Sequence, residues 1–181
     1  MRRAWLVRVA MAAVPVMVIA GVSTAASASA HKATAHKSTT ISTEVTLYGW
    51  DDNSPPGCAT AYSGCARSGG TFAKPTTFAT DKAELAVGTI VYYAPLKRYF
   101  VMGDDCVACD NDWTSSHKRH IDLWAGGFSG DNANALFACE DHWTVGSGAQ
   151  VIVNPPSGMP VANNGLGGPI FRKNNTCWHP G

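Results

Sequence analysis

The chain has 181 residues, 45% of them hydrophobic and 15% charged, with six cysteines and a formal net charge of +1. That composition excludes a disordered or collagen-like chain and leaves enough apolar residues for one ordinary core. The first thirty residues carry three of the 14 basic residues and none of the 13 acidic ones, so the remainder balances at 11 minus 13, or −2. A net acidic chain lacks the basic surface that general nucleic-acid or anionic-membrane binding needs. A neutral polysaccharide or peptide partner fits better.

Residues 1–30 read as a secretory signal peptide. Arg2, Arg3 and Arg8 form a basic n-region, Val9 to Val22 is almost wholly apolar, and Ala26-Ser27-Ala28 and Ala28-Ser29-Ala30 are small-residue cleavage patterns. The apolar run is too short for a membrane helix. Arg2-Arg3 leaves both a general and a twin-arginine export route open. Residues 31–42 form a low-complexity Ala, Thr, Lys and His leader without an apolar period, expected to be flexible.

Order is expected from Thr43, where Val45, Leu47 and Gly49 alternate with Thr46, Tyr48 and Trp50 in a half-buried strand pattern. Asp51 to Gly70 reads as a long Gly, Ser, Pro and Asn-rich loop stapled by a Cys58 to Cys65 disulfide. Three strand-prone runs follow at Ile90 to Tyr93, Tyr99 to Met102 and His120 to Trp124, interrupted by the acidic segment Asp104 to Asp112. The one expected helix spans roughly Asp131 to Cys139, with Asp131 as N-cap. Trp143 to Val145 and Gln150 to Val153 read as closing strands. A barrel domain over residues 43–154 is then followed by a Gly, Pro and Asn-rich tail, 155–181, anchored by Phe171 and Trp178 and tethered by Cys177. Short strands, many turns and one short helix predict a mainly β barrel.

In an exported chain the six cysteines, Cys58, Cys65, Cys106, Cys109, Cys139 and Cys177, predict three disulfides. Beyond Cys58 with Cys65 the connectivity stays open. Cys106 and Cys109 with His117 and His120 offer a rival zinc reading, ranked below disulfides because the spacing fits finger patterns poorly.

Aspartates at the ends of neighbouring strands bring carboxylates together. Thr46-Leu47-Tyr48, the Cys58 to Gly70 loop, Thr80-Asp81, Val87-Gly88-Thr89, Val101-Met102-Gly103-Asp104 and His120-Ile121-Asp122-Leu123 follow the order and spacing of the three-aspartate domain, which this chain resembles over residues 43–153. That resemblance implies a six-stranded double-psi β-barrel related to lytic transglycosylase A, expansins and family 45 endoglucanases. It places Asp81, Asp104 and Asp122 at the family's three aspartates, with Asp122 as proton donor. Asp51 resembles the second carboxylate of the endoglucanases, and Asp52 competes for that role. The chain departs from the family where Asp105-Cys106 replaces the usual Thr-Gly after the second aspartate.

Glycosidic cleavage needs one carboxyl kept protonated and negative charge near the sugar carbon, a condition that crowded carboxylates meet. A hydrolase would use a second carboxylate to activate water, whereas a lytic transglycosylase lets the muramic acid 6-hydroxyl attack. Tyr48, Trp50, Trp113 and Trp124 are the expected sugar-stacking residues. The acidic loop Asp104, Asp105, Asp110 and Asp112 has a plainer reading as a solvated segment or a calcium site. The leading expectation is a secreted or cell-wall-associated monomer that cleaves a β-1,4-linked polysaccharide, peptidoglycan first, without a cofactor or metal. The alternatives are a non-catalytic expansin-like carbohydrate-binding or wall-loosening protein and a protease-inhibitor-like ligand.

Overall fold

A computed structural model describes residues 37–180. The expected signal peptide and the first part of the leader lie outside the described residues. The elements run β1 (Thr39–Gly49), β2 (Ala59–Thr60), β3 (Gly64–Cys65), β4 (Thr76–Ala79), β5 (Ile90–Tyr93), β6 (Arg98–Asp104), α1 (Val107–Ser116), β7 (His120–Gly126), α2 (Ala133–Trp143) and β8 (Val145–Val153). Six of the strands close a barrel in the order β1-β7-β4-β6-β5-β8, while β2 and β3 form a separate hairpin. The chain is therefore mainly β, with two short helices and three disulfides. Among the described residues no helix is long and apolar enough to cross a membrane.

Period-two patterning fixes which side of each barrel strand faces the core. In β1, Val45 and Leu47 point inward, and in β7 Ile121 and Leu123 do the same, joining Phe78, Val91, Phe100, Met102 and Val151 in one apolar cluster. The alternate residues, Thr46 and Tyr48 on β1 and His120, Asp122 and Trp124 on β7, share the opposite side. Because β1 and β7 are parallel with Thr46 opposite Asp122 and Glu44 opposite His120, the two outward rows stand side by side.

Several expectations require correction. β1 starts at Thr39, not at Thr43: Thr39 to Thr43 pair antiparallel with Val153 to Ala149, so β8 supplies the hydrogen bonds that stabilise a segment without apolar alternation. β4, with all four residues buried, has no counterpart in the expected strands, since its sequence Thr-Thr-Phe-Ala carries little alternation. The acidic segment interrupting the strands enters a second helix instead of remaining a loop. α1 has almost no apolar face and is fastened at its start, where the Cys106 sulfur accepts the Cys109 backbone N–H at 3.1 Å and the two cysteines are bonded. Trp143 ends α2, and the closing strand β8 is continuous from Val145.

The disulfides are Cys58–Cys65, Cys106–Cys109 and Cys139–Cys177. The tight ring is thus real, and it closes the rival zinc reading in this oxidised state, because both thiols are consumed. The last disulfide ties the tail to α2, and Ile170, Phe171 and Trp178 are buried against the barrel. Arg98 organises this contact. Fully buried, its guanidinium donates to the carbonyls of Leu96, Gly168 and Pro169 at 2.8, 3.0 and 3.3 Å and lies 4.4 Å from the centre of the Trp178 ring. Burial and the nearby Arg172 push its pKa down to about 10, which leaves it charged at neutral pH.

Candidate active site

A cleft of about 500 Å³ opens over the outward rows of β1 and β7 and is walled by the β2–β3 loop and the start of α1. Tyr48, Asp52, Asp104, Asp105, Cys106 and Asp122 are among its lining residues. Residues far apart in sequence reach it through barrel register: Asp122 comes from the middle of β7, Asp104 from the end of β6, and Tyr48 from β1.

Asp104 is held by three donors. Its Oδ2 accepts from the Tyr48 hydroxyl at 2.9 Å, and its Oδ1 accepts the backbone N–H groups of Ala61 and Asp105 at 2.7 and 2.9 Å. Burial, then the Asp104 charge, pushes the Tyr48 phenol well above the ordinary tyrosine range, so this hydroxyl keeps the proton it donates to Asp104. Asp122 is different. Its Oδ1 accepts from the Thr46 hydroxyl at 2.7 Å, yet desolvation outweighs that bond, and with the fields of Asp52 and Asp104 its pKa is pushed up to about 7. A carboxyl half-protonated near neutrality and facing a cleft is equipped to give or take a proton.

Of the expected carboxylates, the cleft gathers Asp104 and Asp122 but neither Asp51 nor Asp81. Asp52 lines it instead of Asp51; the Gly49 N–H binds one Asp52 oxygen, and burial raises the Asp52 pKa. Asp51 turns the other way and pairs with Asp131, which raises its own pKa. Asp81 caps a turn: its Oδ1 accepts from Ala83 N–H at 2.6 Å, and its carbonyl accepts from Glu84 and Leu85. That is the local role for which aspartate is favoured.

The expected aromatic platform is not assembled. Trp124 is 3% exposed, packs edge-on against Tyr48 at 5.1 Å and donates its Nε1–H to Ser68. Trp50 packs against the small apolar cluster of Tyr48, Cys106, Cys109 and Trp124. Trp113 stands on α1 against His117, 4.9 Å between ring centres. Only Tyr48 of the four lines the cleft, and it presents its hydroxyl to Asp104.

Three residues near the site escaped the sequence argument. Glu140 is 6% exposed, and one of its oxygens lacks any hydrogen-bond partner. Burial, followed by the charges of Asp52 and Asp122, pushes its pKa up to about 9, so it is protonated at neutral pH. Its signal was present: Leu136, Cys139 and Glu140 are spaced i, i+3, i+4 and share the buried stripe of α2. Gly49 lets it approach, since a Cβ there would lie 2.7 Å from Glu140 Oε1 and 2.8 Å from Leu136 Cδ2. The other two, Thr46 and His120, contact each other at 2.9 Å, and His120 is buried.

Two groups of metal-capable side chains converge among the described residues: Cys106, Cys109 and His120, and Glu44, Asp112 and His120. The disulfide closes the first. In the second the Lys118 ammonium already pairs with Glu44 and with Asp112, so a cation of the protein fills the place of a metal. Of the acidic segment, Asp112 belongs to the second group, and Asp104, Asp105 and Asp110 belong to neither.

No solved structure matches the chain. An uncharacterized protein of Dictyostelium discoideum is 35% identical over 144 residues, covering 76% of this chain. The match takes in 63% of the relative's own length, so this chain spans less than two thirds of the protein it resembles. A family described as the DDB_G0273701 N-terminal domain matches residues 40–178, most of the chain. With this extent of match, the chain belongs to the DDB_G0273701 N-terminal domain family.

Proposed function

We propose that the chain is an exported glycan-active enzyme that cleaves a β-1,4-linked polysaccharide, peptidoglycan in the first place, with Asp122 as general acid and then base. The observation that carries this reading is Asp122 itself: a cleft-facing carboxyl raised to about 7 beside two further carboxylates, Asp52 and Asp104. We further assign the barrel to the double-psi type of the three-aspartate domain. Two parallel pairings, β1 with β7 and β4 with β6, within an otherwise antiparallel closed barrel support that assignment.

In the proposed reaction Asp122 transfers its proton to the glycosidic oxygen as the bond to the sugar carbon breaks. The negative field of Asp52 and Asp104 stabilises the positive charge left on that carbon. Where the muramic acid 6-hydroxyl attacks, its proton passes to ionised Asp122, the carboxyl is restored, and an anhydro sugar forms. Where water attacks, a reducing end forms instead. Asp104 is already held by three donors, so Asp52, which also lines the cleft, is the carboxylate we assign to orient a water. Three disulfides fit an oxidising compartment and support export.

The test is mass spectrometry of soluble products after incubating residues 31–181 with peptidoglycan and with β-1,4-glucan, alongside Asp122→Asn. Anhydromuropeptides or reducing-end fragments that disappear in Asp122→Asn are expected. Products undiminished in that variant would remove Asp122 from the chemistry. No product from either polymer, with the protein still pelleting with the glycan, would establish the expansin-like alternative in its place.

A further inference from the structure

Asp122 is one end of a hydrogen-bonded chain. The Thr46 Oγ1 lies 2.7 Å from Asp122 Oδ1 and 2.9 Å from His120 Nε2, and the other ring nitrogen, Nδ1, lies 2.9 Å from Asp112 Oδ2. Asp112 is fixed in turn by Lys118 Nζ at 3.0 Å, which also pairs with Glu44. The four groups come from β1, β7 and α1. The chain exists because parallel register sets Thr46 opposite Asp122 and because α1 delivers Asp112 to the far side of the ring.

Proton counting restricts what this chain can be. A threonine hydroxyl has one proton, so it donates to one of its two neighbours and the other neighbour must donate to it. Lys118 and His120 hold the Asp112 carboxyl below its usual range, so the carboxylate accepts and Nδ1 carries a hydrogen. Two arrangements then satisfy every contact. In one, protonated Asp122 donates to Thr46, and Thr46 donates to Nε2 of a neutral ring. In the other, Thr46 donates to ionised Asp122 and accepts from Nε2–H of an imidazolium. Both hold the same number of protons. They interconvert when the Asp122 O–H breaks, a new Thr46 O–H forms, the old Thr46 O–H breaks and the Nε2–H forms.

We propose that Asp112, His120 and Thr46 form a proton relay that sets the protonation state of Asp122. Thr46, His120 and Asp112 are positioning residues, and Asp122 alone meets the substrate. This role rests on the acid and base assignment of Asp122 above. When Asp122 gives its proton to a leaving oxygen, Thr46 turns to donate to the carboxylate, and its oxygen is left facing the bare Nε2, acceptor against acceptor. That mismatch makes ionised Asp122 a stronger base than a lone carboxylate and draws a proton back from the attacking hydroxyl. One residue thereby serves as acid and then base. The ring is 5% exposed and the Cys106–Cys109 disulfide lies against it, its sulfurs within 4.8 Å of a ring nitrogen, which shields the imidazole from bulk water. The other titratable and charged groups facing it are Asp52, Asp104 and Glu140 toward Asp122, and Glu84, Arg119, Lys118 and Glu44 around His120; Glu84 accepts the His120 backbone N–H at 3.1 Å.

The test follows the Asp122 carboxyl carbon and the two His120 ring nitrogens by NMR from pH 5 to 9. It uses residues 31–181 as wild type, Thr46→Val, Thr46→Ser and Asp112→Asn. In the wild type both residues are expected to respond in the same titration steps, with Nδ1 protonated throughout, as strongly interacting sites do. Thr46→Val should separate them and move the Asp122 midpoint upward by about one pH unit, because a hydrogen bond to the charged form is lost. Thr46→Ser should restore the coupling, and Asp112→Asn should release the Nδ1 proton preference. Independent titration in the wild type, or a neutral ring protonated on Nε2, would overturn the relay. Coupled titration in a protein that cuts no glycan would support the relay and overturn the enzymatic reading. Cleavage that depends on Asp122 but keeps the same pH profile in Thr46→Val would do the reverse.

Discussion

Replacing Glu140 with glutamine is the sharpest test of the electrostatics under the cleft. Folding raises the Glu140 pKa from its ordinary 4.5 to about 9. Between those values the folded protein holds a proton that the unfolded chain has released, so the native state binds more protons and stability falls as pH rises. The associated stabilisation is complete below pH 4.5 and is lost progressively up to pH 9. The slope is about 1.4 kcal/mol per pH unit, so Glu140 costs roughly 3 kcal/mol at pH 7 relative to acid. Asp122 adds a slope of the same sign but only up to its own value of about 7. The interval from pH 7 to 8.5 therefore isolates Glu140. Glu140→Gln, which mimics the protonated acid, should gain on the wild type by about 2 kcal/mol across that interval. Denaturant unfolding at pH 5, 7, 7.75 and 8.5 measures it. Parallel pH dependence of the two proteins above pH 7 would refute the buried, protonated carboxyl.

The other expectations concern separate parts of the molecule. Asp122→Asn should lower glycan cleavage by about 10²–10⁴-fold, the usual contribution of a general acid, with folding preserved by circular dichroism. Asp52→Asn removes a negative charge that raises the Asp122 pKa, so the Asp122 midpoint should move to lower pH; an unchanged midpoint by carboxyl NMR would deny that the two share one field. Removing the Cys139–Cys177 bond by paired serine substitution should cost about 3–4 kcal/mol, given a sequence separation of 38 that it closes, and should free the tail to limited proteolysis. Arg98→Met deletes the donors to three carbonyls, one buried and two part-buried, and should destabilise by about 3 kcal/mol in denaturant unfolding; a loss below about 1 kcal/mol would mean that the apolar burial of Trp178 and the disulfide hold the tail unaided.

What the sequence revealed, and what it hid, follows from the range of the forces involved. Alternation in Val45 to Tyr48 and His120 to Trp124 made β1 and β7 legible, because each strand has one face in the core and the signal lies within five residues. The same alternation set Asp122 apart, since a carboxyl between Ile121 and Leu123 needs a partner or a cleft. β4 and α1 were hidden because neither is made by its own pattern. β4 is buried on both faces between β6 and β7, and α1 is fastened by a disulfide at its start. Asp51 and Asp52 look alike in sequence. Only the turn after β1, where the Gly49 N–H holds Asp52 and Asp131 takes Asp51, separates them.

The tryptophans misled for a related reason. Proximity in sequence to acidic residues put Trp50, Trp113 and Trp124 on an imagined platform, but a strand alternates its faces and a barrel of this size must cover its outer rows with something apolar. Trp124 follows Asp122 by two residues and so shares its face, yet Tyr48 and Cys106 cover it, leaving Asp122 open to the cleft. Tyr48, Trp124 and the Cys106–Cys109 bond form an apolar patch on the side that carries His120 and Asp122, and desolvation is the leading cause of the raised Asp122 pKa. Polar replacement of Trp124 should therefore lower that pKa without touching any hydrogen bond of Asp122. Trp50 and Trp124, expected to grip a sugar, instead pack with Tyr48 into the apolar cover on this side of the barrel.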